Sequence, residues 1–345
     1  MSEPPRKHIN LALQGGGAHG AFTWGVLDRI LEDDRLYIDG VSGTSAGAMN
    51  GAVMVSGHIA GGNAGARKAL DRFWESVSAL GLLSPIHASF YDRAVGNWDL
   101  DESPASVWLD TLSRLVSPYQ TNPLNLSPLG DLLAQLIDFA SLRKGDGVRL
   151  FVSATNVNTG KIRVFERDEL TLKMLLASAA LPNVFQAVVV DGEAYWDGGF
   201  MGNPAIFPLI YNCAARDVVI VQVNPLTREG VPKTAGEIMN RLNEITFNAS
   251  LMREMRAIAF VQRLLDQTPE DIPVPAIQGL KRMLIHMIED EPAMESLGIA
   301  SKLNTDMDFL LYLKRLGRET AERWLQENFA ALGHRSTVDI QKKFL

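Results

Sequence analysis

The sequence predicts an α/β fold in which helices cover a parallel sheet. Three observations carry this. The chain opens as strand, glycine loop, helix, strand, serine turn and helix, the order of parallel β–α–β units. Short β-branched runs return at 148–155, 161–165, 187–190 and 218–223. Hydrophobic residues make up 46% and charged residues 21% of the 345 residues, enough for a sizeable core.

Each element has its own signal. Residues 8–14 alternate as a strand, and residues 20–33 place Phe22, Val26, Leu27, Ile30 and Leu31 at helical spacing. A strand at 37–42 feeds a turn at Ser45, and a helix follows over 46–56. The Gly- and Ala-rich stretch 57–66 reads as a loop before a helix at 66–80 carrying Leu70, Phe73, Trp74 and Val77. Residues 81–140 are irregular, with Pro85, Pro104, Pro118, Pro123 and Pro128 among Phe90, Tyr91, Trp98, Trp108 and Tyr119. They read either as ordinary surface helices and loops or as a lid or substrate-facing insertion. Asn158-Thr159-Gly160 makes a hairpin turn between strands 148–155 and 161–165. A helix at 169–180 stops near Pro182, and strands at 187–190 and 194–196 lead to Asp197-Gly198-Gly199. Residues 218–223 read as a buried strand closing the core. Two regions result: a domain over 8–225 and a helical C-terminal region over 226–345 packing on it, with helices expected at 235–266, 275–290 and 305–331.

Composition narrows the function. A net charge of −7 argues against general nucleic-acid binding. The single cysteine, Cys213, excludes an intramolecular disulfide. The six histidines are scattered without metal-ligand spacing, so no metal is expected. Residues 1–8 lack the apolar segment of a secretory signal, and no stretch is apolar enough to span a bilayer, which fits a cytoplasmic protein that is at most peripheral on membranes.

The chemistry is carried by Gly43-Thr44-Ser45-Ala46-Gly47, entered from a strand and left through a helix. A serine on such a turn needs small neighbours and sits at a helix N-terminus, where N–H groups and the helix dipole stabilise an oxyanion. The loop Gly15-Gly16-Gly17-Ala18-His19-Gly20 admits two uses. It matches the Gly-x-Gly-x-x-Gly of a dinucleotide site, with Asp39 about twenty positions on for a ribose hydroxyl. Alternatively, the N–H groups of Gly16, Gly17 and Ala18 form an oxyanion hole. The second strand running directly into a serine turn favours the second use. A base is then required. No histidine follows a late core strand in a glycine-rich loop, whereas Asp197, just before Gly198 and Gly199, does.

These three motifs, in this order, with Ser178-Ala179-Ala180-Leu181-Pro182 and Gly202-Asn203-Pro204 beside them, resemble the patatin-like phospholipases over about residues 8–225. The resemblance implies a three-layer α/β/α sandwich with a mostly parallel sheet and lipid acyl hydrolysis by a Ser–Asp dyad without histidine. By position, Ser45 becomes the nucleophile and Asp197 the general base. Gly15, Gly16, Gly17, Ala18 and Gly20 become the oxyanion loop, with His19, Gly43, Gly47, Gly198 and Gly199 as motif neighbours. The implied partner is a lipid or ester substrate, met in part at a membrane or micelle surface, with no cofactor. A carboxylesterase, thioesterase or lysophospholipase is the nearest alternative, and a non-catalytic lipid-binding module a more distant one. Many family members carry Arg or Lys where this chain has His19. Protonation of His19 is therefore expected to alter activity between about pH 5.5 and 7.5.

Overall fold

The computed structural model describes residues 6–81, 98–101, 116–267 and 280–345. Its sheet has eight strands: β1 (Lys7–Leu13), β2 (Leu36–Gly43), β3 (Arg149–Asn156), β4 (Ile162–Glu166), β5 (Val188–Val190), β6 (Glu193–Asp197), β7 (Asp217–Val221) and β8 (Leu284–Ile288). Their order is β5-β6-β3-β2-β1-β7-β8, with β4 also on β3. From β3 through β2, β1 and β7 to β8 all pairs are parallel, while β4, β5 and β6 join by antiparallel pairs.

Alternate residues of single strands enter separate cores, which defines the three layers. Leu11, Leu13, Val219 and Val221 face one core, with Phe22, Trp24 and Leu70. Ala12, Val218 and Ile220 face the other, with Leu251, Met255 and Phe344. The first core is covered by α1 (Gly20–Leu31), by α2 (Ala46–Gly81) and by the helix Met307–Asn328. That C-terminal helix lies so close to α1 that a Cβ on Gly317 would stand 2.1 Å from the Phe22 carbonyl oxygen. The helix Ala235–Gln267 lies over the second core.

Several expectations need correction. The region after residue 226 is not wholly helical: Leu284–Ile288, inside the helix expected over 275–290, is strand β8. Its five residues are all buried, so they show no polar face from which a helix could be told from a strand. Strand β7 therefore lies inside the sheet, between β1 and β8, and does not close it. The loop expected at 57–66 is helical except for a break at Gly61 and Gly62, the latter at φ 61°. The helix at 169–180 is shorter, Leu172–Ala177. Of the 81–140 insertion, Pro85, Phe90, Tyr91, Pro104 and Trp108 lie outside the described residues. Trp98 packs on Phe309 and Tyr312 of the C-terminal helix.

Candidate active site

Leu13 of β1 pairs with Gly43 of β2 on one side and Val221 of β7 on the other. The loops leaving three adjacent parallel strands thus meet at one end of the sheet. From β1 the chain proceeds through β2 to β3 on one side, while β7 leads to β8 on the other. Such a switch point opens a crevice at the carboxyl ends of the strands.

Ser45 occupies that end. Its φ is 53°, a left-handed backbone that a non-glycine residue adopts at a cost of about 1–2 kcal/mol. Neighbouring groups hold it there. Its N–H donates to Ser178 Oγ at 2.9 Å. Thr44 Oγ1 donates to the Gly202 carbonyl at 2.5 Å and lies 2.5 Å from Ser153 Oγ. Gly43 ends β2, and Gly47 lies in the first turn of α2, pressed on the Leu13 carbonyl.

Asp197 ends β6 and is fully buried. Its N–H donates to the Ala180 carbonyl and its own carbonyl accepts from Thr155 Oγ1, both at 2.9 Å. Carboxylate Oδ1 accepts the Gly199 N–H at 2.7 Å. Burial pushes its pKa up to about 7, against the lowering pull of the Gly199 N–H, the Ser45 hydroxyl as a hydrogen-bond donor, and the Lys302 charge. The two sequence-predicted residues are therefore neighbours. Among the described residues, Oδ2 has no hydrogen-bond partner. Gly198, whose N–H donates to the Ser178 carbonyl at 3.2 Å, sits tightly on Ser153.

The glycine loop abuts the serine. A Cβ on Gly15 would stand 2.7 Å from Ser45 Cβ, so a side chain there would push the loop away. Gly17 is at φ 59°, and its missing Cβ leaves room for the Lys302 carbonyl. The amides divide into two groups. Gly15 N–H donates to Asn203 Oδ1 at 2.7 Å, and Gly20 N–H turns back to the Ala18 and Gly17 carbonyls. Both are thereby removed from the oxyanion set expected from sequence. No hydrogen bond among the described residues engages the amides of Gly16, Gly17 and Ala18.

His19 also needs correction. It is buried, and burial, with the Lys302 charge second, pulls its pKa down to about 3. It stays neutral across pH 5.5–7.5, so the expected titration does not fall there. The Ser301 hydroxyl donates to the Gly298 carbonyl at 2.7 Å, which makes His19 Nε2–H the donor in its 2.7 Å bond to Ser301 Oγ.

A polar shell beneath the loop was not read from the sequence. Gln14 Nε2 donates to the Asn203 carbonyl and to Asn248 Oδ1, while its Oε1 accepts the N–H groups of Val223 and Asn224. The only hint of this was a polar residue at the end of an apolar strand. Asn203 and Ser178 belong to the flanking motifs of the resemblance, which implies no role for them. Asp39 is bulged out of the β1–β2 register and caps the N–H groups of Ala214 and Ala215 at 2.6 and 2.8 Å, so the ribose-binding reading loses its acid.

Fold and site together define an α/β protein of the serine-turn type. The chain belongs to the patatin-like phospholipase family, whose family profile, described as Patatin-like phospholipase, matches residues 11–210. The family's reaction class is lipid hydrolysis. Curated protein sequences give no match. Among solved structures, VipD from Legionella pneumophila is similar at 16% identity, over 94% of this chain and 68% of that one, with a TM-score of 0.39. ExoU in its complex with SpcU, from the type III secretion system of Pseudomonas aeruginosa, is similar at 20% identity, over 72% of this chain and 51% of that one, with a TM-score of 0.31. The chain thus matches about half the length of ExoU. No helix among the described residues is long and apolar enough to cross a membrane.

Proposed function

We propose that this protein is a serine lipid acyl hydrolase that cleaves fatty-acyl esters of phospholipids or related lipids through Ser45 and Asp197. The observation that carries this reading is the pairing of a strained, anchored serine with a buried carboxylate whose pKa lies near 7. A base is most effective when its pKa is close to the working pH.

In the first half-reaction Ser45 Oγ bonds to the ester carbonyl carbon, and its proton passes to Asp197 Oδ2. The carbonyl π pair moves onto oxygen, where the N–H groups of Gly16, Gly17 and Ala18 receive it. One such donor is worth about 3–4 kcal/mol of barrier. The carbon–oxygen bond to the alcohol then breaks, and Asp197 returns the proton to the leaving oxygen. In the second half, water attacks the acyl-serine and gives its proton to Asp197. The fatty acid departs as Ser45 regains its hydrogen. Residues 8–225 carry these groups, and the region from 226 onward packs against them.

Because Asp197 must be ionised to act, the rate should rise with pH through about 7. The deciding experiment is a panel of phospholipid, lysophospholipid, thioester and short-chain ester substrates with wild type and Ser45→Ala. Ser45→Ala should lose about 10⁴-fold or more and escape labelling by a fluorophosphonate. A folded Ser45→Ala protein as active as wild type would end the proposal, and preference for short esters would move it to a carboxylesterase.

A further inference from the structure

Lys302 lies in the short helix Ala300–Leu303, beyond the residues matched to the family. That segment packs directly on the glycine loop, because the Lys302 carbonyl fills the space a Gly17 Cβ would need. The side chain is half-buried, and its ammonium is held by neighbouring side chains. It donates to Asn224 Oδ1 at 2.9 Å and to Asn243 Oδ1 at 3.0 Å, and stands 6.0 Å from the centre of the Phe247 ring. Phe247 in turn presses on Gly199, beside Asp197.

An ammonium can only donate, so together with Gln14 Oε1, which accepts from Asn224 Nδ2 at 3.3 Å, it fixes which way the Asn224 amide faces. With Oδ1 turned to Lys302, Nδ2 donates to the Gly15 carbonyl at 2.7 Å. The Gly15–Gly16 peptide is planar, so holding its carbonyl holds the Gly16 N–H pointing the opposite way. His19, buried and neutral, contributes no charge.

We propose that Lys302 is a positioning cation of this active site: through Asn224 it fixes the Gly16 amide, and its charge favours both the oxyanion and ionised Asp197. This rests on the serine-hydrolase reading. The charged and titratable groups facing Lys302 are Glu244 on the Ala235–Gln267 helix, Asp101, Arg228, Asp197 and His19. Burial, opposed by Glu244 and Asp101, lowers the lysine pKa to about 8. The cation is therefore lost on the alkaline side, and with it the rate.

The test is a pH–rate profile from about pH 5 to 10 on the full chain, with a fluorogenic phosphatidylcholine in mixed micelles. Wild type should show an acid limb near pH 7 and an alkaline limb near pH 8. Lys302→Met should lower kcat about 10- to 100-fold, less than the outright loss of an oxyanion donor because the Gly16 amide is misplaced and not removed, with little change in KM. Its acid limb should move upward and its alkaline limb vanish. Lys302→Arg should keep most of the rate and carry the alkaline limb beyond pH 9, since guanidinium stays charged. Unmoved limbs in either folded variant, with Ser45-dependent hydrolysis in wild type, would overturn this inference alone. If Lys302→Met does not fold, the alkaline limb of Lys302→Arg decides. Hydrolysis that persists in Ser45→Ala would overturn the underlying reading and this inference together.

Discussion

At the amino end of β7 and in β8, His286 Nε2 lies 2.9 Å from Asp217 Oδ1 and His286 Nδ1 lies 3.1 Å from Thr337 Oγ1. The Gly333 N–H also donates to Asp217 Oδ1, at 2.8 Å. At the opposite end of the sheet, Ser45 sits in a left-handed backbone, and among the described residues Asp197 Oδ2 and His19 Nδ1 have no hydrogen-bond partner and no hydrogen bond engages the amides of Gly16, Gly17 and Ala18. The histidine–aspartate pair resembles part of a hydrolytic triad, yet both of its ring nitrogens are satisfied. The carboxyl end is under-satisfied and strained. Buried polar groups normally find partners, so the place where they do not is the better candidate for chemistry.

The sharpest way to break this contrast is to remove one acid from each end. Asp197→Asn should lower kcat by about 10⁴-fold, since the amide cannot take the serine proton. It should also leave the fold intact, because Asn can still accept from Gly199. His286→Ala should do the reverse. Leaving Asp217 with fewer partners should cost about 2–4 kcal/mol of stability by urea titration, with kcat per folded molecule unchanged. A His286→Ala enzyme that folds normally and is inactive would invert the assignment of the two ends.

A stability effect of similar size follows from the sign of the Asp197 shift. The folded chain binds this proton more tightly than the unfolded chain, with a pKa of about 7 against 3.8. The stability this gives is fully present below the unfolded value and is lost as pH rises to about 7, a change on the order of 4 kcal/mol. Asp197→Asn does not suffer that loss. Its melting temperature should exceed that of wild type at about pH 8, with the gap closing near pH 4; a gap that does not vary with pH would contradict the burial of this charge. The smallest expected effect is at His19. His19→Gln keeps a donor for Ser301, so the acid limb of the rate profile should stay where it is. A limb that moved would return the titration to His19.

The two ends also differ in how far the sequence revealed them. Ser45, Asp197 and the glycine loop were legible because a strained turn and a close loop approach restrict residue type over short, contiguous stretches. The strand–loop–helix order of residues 8–56 was legible for the same reason, along with hydrophobic spacing. The role of Lys302 was not, since one lysine in a short helix has no periodicity or spacing that separates it from a solvated one. Its importance arises from tertiary contact with Asn224 and Gly17, which lie 78 and 285 positions away. His19 was misjudged because sequence gives its type and not its burial, and burial dominates its proton affinity. Strand β8 was missed because a strand buried on both faces has no alternation to read.

That late strand has a practical consequence for anyone shortening the gene. A fragment cut after residue 225 would retain the serine, the aspartate and the glycine loop. It would also strip β7 of its neighbour, baring a backbone edge of five residues that are all buried in the full chain. An apolar edge of that kind recruits strands from other molecules. Such a fragment is expected to collect in inclusion bodies, and the smallest well-behaved unit should extend at least through Ile288.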